Sequence, residues 1–209
     1  DKGKFMQGVE FELFDENGNK KVRQEIDSGE SQLTFKSTGT YAWKQNEDGT
    51  WQSENYHVNN STATMESDEF TIQNGTLTFD WSVSSESVNY DYAYYTITNV
   101  KTGETIGDAN TKIGGTSYGT GYNSLKFNSV EQKLNAGTYK ISFTYIKDSS
   151  GHTGLDRAYV KNAKIAYEKI VEIPYLTDEN GSLKIENIEW GNYYIKEKEP
   201  LSGYKKIDT

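Results

Sequence analysis

Five aromatic side chains lie in polar stretches without strand-like alternation, a setting that favours ligand binding. They are Trp43, Trp51, Tyr56, Tyr118 and Tyr122. Sugars stack their apolar faces on Trp and Tyr rings while amides and carboxylates bind the hydroxyls, and exposed aromatic residues on loops favour binding. The sequence therefore predicts a glycan-binding surface built from segments 43–56 and 107–122. The alternative is that Trp43 or Trp51 closes the end of a β-sandwich.

The sequence contains no arrangement of residues that is typical of a catalytic site. The only histidines, His57 and His152, have neither metal-ligand nor triad spacing, and no Gly-x-Ser-x-Gly sequence is present. The glycines that follow Gly114 do not fit a strand-to-helix pattern, so a phosphate-binding loop is not indicated. We predict that the chain is not an enzyme.

Composition narrows the class of protein and its partners. The 209 residues carry a net charge of −9 and include no cysteine. An acidic surface disfavours nucleic acid, whose phosphates need clustered Lys and Arg, and the lack of cysteine excludes disulfides and Cys-ligated metal. No apolar run approaches the roughly 18 residues of a membrane span, so membrane insertion is not expected. No signal peptide is present, so if the protein is secreted this chain is an excised or processed segment, which we expect to be monomeric.

Many short alternating runs between Gly, Asn and Asp turns predict an all-β protein. The clearest run, 75–83, places Leu77, Phe79, Trp81 and Val83 on one face. Further strands are predicted at 32–36, 70–72, 90–99, 124–130, 137–145 and 158–167. Segment 40–60 shows little alternation and is predicted to be loop or edge. About eight or nine strands over this region suit a jelly-roll sandwich.

The C-terminal stretch 177–204 carries a longer and more specific pattern. A turn at Asn180-Gly181 is followed by alternating Leu183, Ile185 and Ile188, which predicts a half-buried strand, and then by a second run through Tyr193 and Ile195. The ordered landmarks are Asn180-Gly181, Gly191-Asn192-Tyr193, Glu197, Pro200 and Gly203-Tyr204. This order resembles the B-type, prealbumin-like domain of SpaA-type pilins and collagen adhesins of Gram-positive bacteria.

The opening strand of that family resembles the N-terminal run 8–18, which contains Gly8-Val9-Glu10-Phe11, a turn at Asp15 to Gly18 and a return strand at 21–26. About 140 residues separate the two halves, too many for a structureless loop. We predict a discontinuous prealbumin-like β-sandwich, residues 1–27 and 169–209, with an inserted jelly-roll β-sandwich, residues 28–168. Exposed loops with adjacent ends tolerate such insertions.

The family resemblance gives Glu197 a specific role. In B-type domains a Glu at this position helps a lysine side chain to attack an Asn or Asp, which forms an intramolecular isopeptide bond. The chemistry needs a neutral amine, a polarised acyl group and a buried acid that shuttles protons. The partners implied by the pattern fall outside the chain, before Asp1 and after Thr209, and Lys2 or Lys4 are out of register. The alternative is that Glu197 is an ordinary strand carboxylate.

Segments 79–92 and 145–160 resemble jelly-roll modules of bacterial surface proteins and secreted carbohydrate-active enzymes. The matching residues are Phe79-Asp80-Trp81, Ser84-Ser85-Glu86, Tyr90-Asp91, Tyr145 to Asp148 and Gly154 to Ala158. The resemblance implies a structural calcium ion, because such modules often hold Ca²⁺, which takes six to eight oxygen ligands. Asp148 and Asp156 are the predicted ligands, with Asp91 or Asp80. The alternative is that Asp156 pairs with Arg157 or Lys147, or caps a turn.

Together the resemblances imply an extracellular, cell-wall-anchored segment of an adhesin or pilin. The inserted domain would bind a host or environmental glycan, or an extracellular protein. The first alternative is a purely structural stalk segment, in which the aromatic residues are buried. The second is a non-catalytic accessory module of a large secreted carbohydrate-active enzyme.

Overall fold

In the computed structural model, the structure describes residues 6–106, 111–116 and 119–200. The regular elements in these ranges are sixteen β-strands and a short 3-10 helix, Tyr122–Ser124. The all-β prediction is confirmed. Among the described residues there is no helix with the length and hydropathy needed to cross a bilayer.

The chain divides into two compact units. Unit 1 takes in the N-terminal segment up to Asp27 and the C-terminal segment from Ile170, and unit 2 runs from Ser28 to Lys169. Each unit is described by itself below.

Unit 1 is organised around β1, Glu10–Asp15, in which Leu13 is buried and the other side chains are partly buried. Leu13 and the preceding Val9 are 2% and 5% exposed. β1 pairs antiparallel with β16 on one side, and with β2 and β15 on the other. The other strands are β2 (Lys20–Lys21), β15 (Tyr175–Leu176) and β16 (Tyr193–Glu197). The two ends of the chain therefore meet in one sheet, since Phe11 of β1 lies opposite Glu197.

Two predicted strands of unit 1 differ in the structure. Residues 183–188 form no strand, and Ile188 stays 43% exposed. The return strand predicted at 21–26 pairs with β1 only at Lys20 and Lys21. The chain then continues as β3, Arg23–Gln32, whose sheet partner is β14. The turn predicted just before residues 183–188 is present, because Asp178 accepts the N–H groups of Asn180 and Ser182.

The turn after β1 depends on one carboxylate. Asp15 accepts hydrogen bonds from the main-chain N–H groups of Asn17 and Asn19 at 3.0 and 2.9 Å, and from the Asn19 side-chain amide at 3.0 Å. Gly18 completes the turn with a φ of 82°. These hydrogen bonds, those of Asn19 first, lower the pKa of Asp15 to about 2.

We expect this carboxylate to give a pH-dependent contribution to the stability of unit 1. Because its folded pKa is lowered, the contribution is fully present above the ordinary pKa of 3.8 and is lost as the pH falls through about 2. An NMR titration of the Asp15 carboxyl group measures this directly. Asn19→Ala should move the Asp15 pKa back towards 3.8, and an ordinary pKa with Asn19 intact would contradict the assignment.

Unit 2 contains two antiparallel sheets. In one the strand order is β11-β10-β13-β7-β4, with β8 also on β13. In the other it is β12-β9-β14-β6-β5, with β3 also on β14. The strands of the first sheet are β4 (Phe35–Ser37), β7 (Ser61–Ser67), β8 (Phe70–Ile72), β10 (Tyr92–Asn99), β11 (Thr105–Ile106) and β13 (Gly137–Lys147). Those of the second are β5 (Trp43–Gln45), β6 (Trp51–Ser53), β9 (Asn74–Ser84), β12 (Asn128–Leu134) and β14 (Arg157–Ile173).

Aromatic side chains form the centre of the unit 2 core. Phe79 of β9 contacts Tyr95 of β10 and Phe143 of β13, each with ring centroids 4.9 Å apart in edge-to-face geometry. Such pairs add to the free energy gained from burial alone. The predicted inward set Leu77, Phe79, Trp81 and Val83 is buried throughout, at 2% exposure or less.

The aromatic-rich segment 40–60 contributes two short strands as well as loops. β5 pairs with β6 and β6 pairs with β14, so this hairpin forms the edge of its sheet. The sequence analysis did not identify β7, although Ala63 and Met65 are fully buried. Its buried face also includes Ser61 and Ser67, and these serines together with the small Ala63 gave little hydrophobic signal.

Candidate functional site

The β5–β6 hairpin separates core side chains from surface side chains by strand alternation. Trp43 and Ser53 lie opposite each other and are 4% and 0% exposed. The next pair, Lys44 and Gln52, points to the other face of the sheet. Between the strands, Asp48 accepts the N–H of Thr50 at 2.9 Å. This bond and then the Tyr122 hydroxyl hold the pKa of Asp48 below its usual range.

A connected row of polar and aromatic side chains runs from this hairpin to the start of β14. We call it the polar–aromatic strip, and its members are Asn46, Asp48, Gln52, Glu54, Tyr56, Tyr122 and Arg157.

One end of the strip is built around Tyr122. Its hydroxyl donates to Asp48 Oδ2 at 2.8 Å and accepts from Asn46 Nδ2 at 3.2 Å. Its ring stands edge-to-face against Tyr159, with centroids 5.8 Å apart, and stays 38% exposed. A surface depression of about 620 Å³ lies beside it, lined also by Lys44, Asn46 and Gln52.

Amide and carboxylate groups connect this end to the other. Asn46 Nδ2 donates to Gln52 Oε1 at 3.0 Å, and Gln52 Nε2 donates to Glu54 Oε1 at 2.7 Å. Arg157 Nη1 donates to the same Glu54 oxygen at 2.6 Å. The Arg157 guanidinium lies 3.9 Å from the centre of the Tyr56 ring, which is 43% exposed. The strip therefore carries an exposed ring at each end and hydrogen-bonding groups between them.

The five predicted binding residues have different positions in the structure. Tyr56 and Tyr122 belong to the strip. Trp43 lies in the core, so its ring cannot serve as an exposed platform. Trp51 is half-buried and packs on the core beside Phe35, with ring centroids 5.9 Å apart. Tyr118 lies outside the described residues.

The strip also contains residues that the sequence analysis did not select. Gln52 and Glu54 had no motif to mark them, and Arg157 was considered only as a possible partner of Asp156, because the residues that the strip brings together are distant in sequence. Glu54 and Arg157 are 103 positions apart. Only the strand pairing of β6 with β14 brings them together.

Two of the predicted metal ligands, Asp156 and Asp91, belong to a buried charge cluster, which we define as Asp91, Lys147 and Asp156. The Lys147 side chain is 1% exposed and both carboxylates are 0% exposed. Lys147 Nζ donates to Asp91 Oδ2 at 2.8 Å and also contacts Asp156 Oδ1. The alternative interpretation of Asp156, an ion pair with Lys147, is the one that the structure shows.

The two carboxyl groups of the cluster differ in their environments. Burial raises the pKa of Asp91, although Lys147 and the Asp148 N–H partly oppose it. Burial also acts on Asp156, but donors led by Lys147 and the His57 N–H outweigh it and lower that pKa. Burial, followed by the charges of Asp156 and Asp91, raises the pKa of Tyr145. Asp156 is therefore the better stabilised anion of the pair.

Three carboxyl groups approach one another next to this cluster. Oxygens of Glu86, Asp91 and Asp148 lie within 4.8 Å of one another. Asp156 is not in this group, and Asp80 instead accepts from Ser129 and Asn162. Both Asp91 oxygens already accept hydrogen bonds, from Lys147 and from the Asp148 N–H. Calcium binding by Asp148 remains an untested prediction.

Glu197 is half-buried on β16, opposite Phe11. The neighbouring Lys198 is engaged with Glu10, at 2.9 Å. Lys2, Lys4 and the segment after Pro200 lie outside the described residues, so the isopeptide bond of unit 1 stays a prediction.

A comparison with models of known protein families gives a match to the C-terminal part of the chain. Residues 124–209 match the family model of the SpaA prealbumin-like fold domain. This part of the chain is similar to that family. The resemblance seen in the sequence is thereby confirmed. The match begins within unit 2, at Ser124, and does not include β1, although β1 pairs with β16 inside the matched range. A contiguous family model cannot follow a sheet whose strands come from both ends of the chain.

Similar solved structures align over about two thirds of the chain. The K3 cleaved adhesin domain of Lys-gingipain from Porphyromonas gingivalis has a TM-score of 0.42 and 14% identity, covering 63% of this chain and 91% of that one. A family 29 carbohydrate-binding module has a TM-score of 0.38 and 13% identity, covering 70% and 90%. TmCBM61, in complex with β-1,4-galactotriose, has a TM-score of 0.38 and 9% identity, covering 64% and 88%. No curated protein sequence matches the chain.

Proposed function

We propose that this chain is an extracellular segment of a cell-wall-anchored bacterial adhesin or pilin, in which unit 2 binds a glycan along the polar–aromatic strip. The observation that carries the proposal is the strip itself, with exposed rings of Tyr56 and Tyr122 at its ends. The SpaA prealbumin-like domain supports a stalk role for unit 1, and unit 2 would supply the recognition.

The chemistry of the strip suits a polyhydroxylated ligand. Aromatic faces attract the C–H faces of sugar rings, and neutral amides with paired charges can donate to and accept from hydroxyls. Every polar member is already hydrogen-bonded to a neighbour, so the side chains are held in place before a ligand arrives. Such preorganisation reduces the entropy lost on binding.

A purely structural role is the second candidate. The burial of Trp43 and the partial burial of Trp51 favour it, because both rings pack on the core of unit 2. The two functions differ in what they predict for the exposed rings. Only glycan binding makes Tyr56 and Tyr122 functionally important.

Glycan-array screening of the 209-residue chain, followed by titration with the sugars it selects, tests this proposal. We expect Tyr122→Ala and Tyr56→Ala each to weaken binding about tenfold, because truncating an aromatic anchor typically removes more than about 1 kcal/mol. Tyr122→Phe keeps the ring and should retain more affinity. Tyr90→Ala is the matched control, since Tyr90 is 54% exposed and lies outside the strip.

Two outcomes would contradict the strip as the binding site. A folded chain that binds no sugar on the array would favour the structural role or a protein ligand. Full affinity in both Tyr→Ala variants, together with loss of binding in a chelator, would move the site to the acidic group that includes Asp148.

A further inference from the structure

The two histidines of the chain, which the proposed function does not use, meet in unit 2. His57 lies in the loop after β6, and His152 lies in the loop between β13 and β14. Both residues are exposed, and their ring centroids are 4.9 Å apart with an angle of 43° between the ring planes. Neutral imidazole is a common ligand of divalent transition metals such as Zn²⁺ and Cu²⁺. An ion in solution can reach this pair of rings.

We propose that His57 and His152 bind one divalent transition-metal ion, Zn²⁺ or Cu²⁺, through one ring nitrogen each. When a nitrogen binds an ion at about 2.1 Å, the centre of its ring lies about 3.2 Å from that ion. Two ring centres 4.9 Å apart then subtend an angle of about 100° at the ion. Tetrahedral coordination needs about 109° and square-planar coordination about 90°, so the observed separation suits either geometry.

Asp156 holds the ring of His152 in the tautomer that a metal ligand needs. Nδ1 of His152 lies 3.2 Å from Oδ2 of Asp156. An ionised carboxylate can only accept a hydrogen bond, so Nδ1 carries the proton and the neutral ring keeps a free lone pair on Nε2. Metal-binding histidines commonly have this arrangement, in which a carboxylate fixes the orientation of the ring. His152 would therefore bind the ion through Nε2.

The same carboxylate fixes the main chain at His57. The His57 N–H donates to Asp156 Oδ2 at 2.6 Å. The φ of His57 is 56°, in the left-handed region that is uncommon for residues other than glycine. A further hydrogen bond, from the Asn60 N–H to Asp148 O at 2.6 Å, joins the two loops that carry the histidines. Both rings are thus positioned before an ion arrives, which reduces the entropy lost on binding.

An ion held by these two nitrogens would keep open coordination positions. Among the described residues, the group of three or more His, Asp and Glu side chains with converging ligand atoms is the acidic group that includes Asp148, and it contains neither histidine. The ion would therefore complete its shell with water or with oxygens of a bound molecule. The ring of Tyr56 lies beside that of His57, with centroids 5.3 Å apart, so the ion would adjoin one end of the polar–aromatic strip.

Calorimetric titration of the full chain, prepared without a histidine tag, with ZnCl₂ at about pH 7.5 tests this proposal. We expect one ion to bind per chain. His57→Asn and His152→Gln should each weaken Zn²⁺ binding at least about tenfold, because a single imidazole lacks the gain from two linked donors. Asn tolerates the left-handed φ at position 57, and Gln can still donate to Asp156, so both variants should keep the fold.

Glu86→Gln is the matched control, because it removes a carboxylate from the acidic group and leaves both histidines in place. Its Zn²⁺ affinity should equal that of the wild type, and excess Ca²⁺, which takes oxygen ligands, should not displace the ion. NMR signals of both imidazole rings should shift together as Zn²⁺ is added.

Three results would overturn the histidine site. The first is a folded wild-type chain that binds no Zn²⁺. The second is unchanged affinity in either histidine variant. The third is displacement of Zn²⁺ by Ca²⁺ or loss of binding in Glu86→Gln, since either would assign the ion to the acidic group instead. None of these results depends on whether unit 2 binds a glycan.

Discussion

Replacement of Lys147 by methionine is expected to lower the free energy of unfolding by at least about 3 kcal/mol, the usual effect of leaving a buried charge without its partner. The variant keeps the aliphatic bulk but leaves the carboxyl groups of Asp91 and Asp156 in the core without a cation. Urea denaturation of both proteins at neutral pH measures the difference.

The loss of unfolding free energy caused by Lys147→Met should be smaller at acidic pH. Burial already raises the pKa of Asp91, and removal of Lys147 raises it further. A carboxyl group whose folded pKa lies above its unfolded value destabilises the fold at higher pH. This effect disappears as the pH falls towards the unfolded value of about 4. The loss should therefore be larger at about pH 7 than at about pH 5.

Lys140→Met is the matched control, on the same strand. Lys140 pairs with Glu66 at 3.1 Å, but both side chains are about one third exposed. Such an exposed pair contributes at most about 1 kcal/mol. Equal effects of the two substitutions would show that Lys147 is not the counter-charge of a buried cluster.

The second large effect is expected at Trp43, where Trp43→Ala should cost about 3–5 kcal/mol by opening a cavity in the unit 2 core. The ring is 4% exposed, and its Nε1 has no hydrogen-bond partner among the described residues. Trp43→Phe should therefore be much milder, since no hydrogen bond is lost and most of the apolar contact remains.

Thermal or urea unfolding of the two variants, together with their glycan affinity, shows whether Trp43 acts as a core residue or as a ligand-binding residue. A Trp43→Ala chain of wild-type stability that had lost glycan affinity would contradict the core position. Loss of stability with unchanged affinity per folded molecule is the expected result.

The alternating strands were the most predictable part of the fold. The sequence analysis assigned one face to Leu77, Phe79, Trp81 and Val83, because strict alternation of apolar and polar residues is typical of a half-buried strand. β7 was missed because its buried positions, such as Ala63, carry little hydrophobicity. Residues 183–188 were predicted as a strand because six residues of alternation look the same whether or not a partner strand is available.

Site residues were harder to predict than strands, for a physical reason. An aromatic residue in polar sequence can face either way at a sheet edge, and one residue of register decides between Trp43 in the core and Lys44 at the surface. The choice of Asp148 and Asp156 came from the resemblance to jelly-roll modules and from the oxygen ligands that Ca²⁺ takes. Lys147 was considered as a partner of Asp156, but the sequence did not indicate that Asp91 would share the same ammonium, because Asp91 is distant in sequence and is brought there by strand pairing.

The two ends of unit 2 lie side by side within that unit. Leu33 N–H donates to Ala163 O at 2.9 Å, and Glu30 pairs with Lys164 at 2.8 Å. A segment whose two ends are antiparallel neighbours can be inserted at an exposed hairpin loop of a host protein, because the two strands of the hairpin also end side by side. Residues 28–169 should thus be transferable as an intact domain. They could be grafted into a surface hairpin of an unrelated scaffold, or circularly permuted by a short linker between their ends.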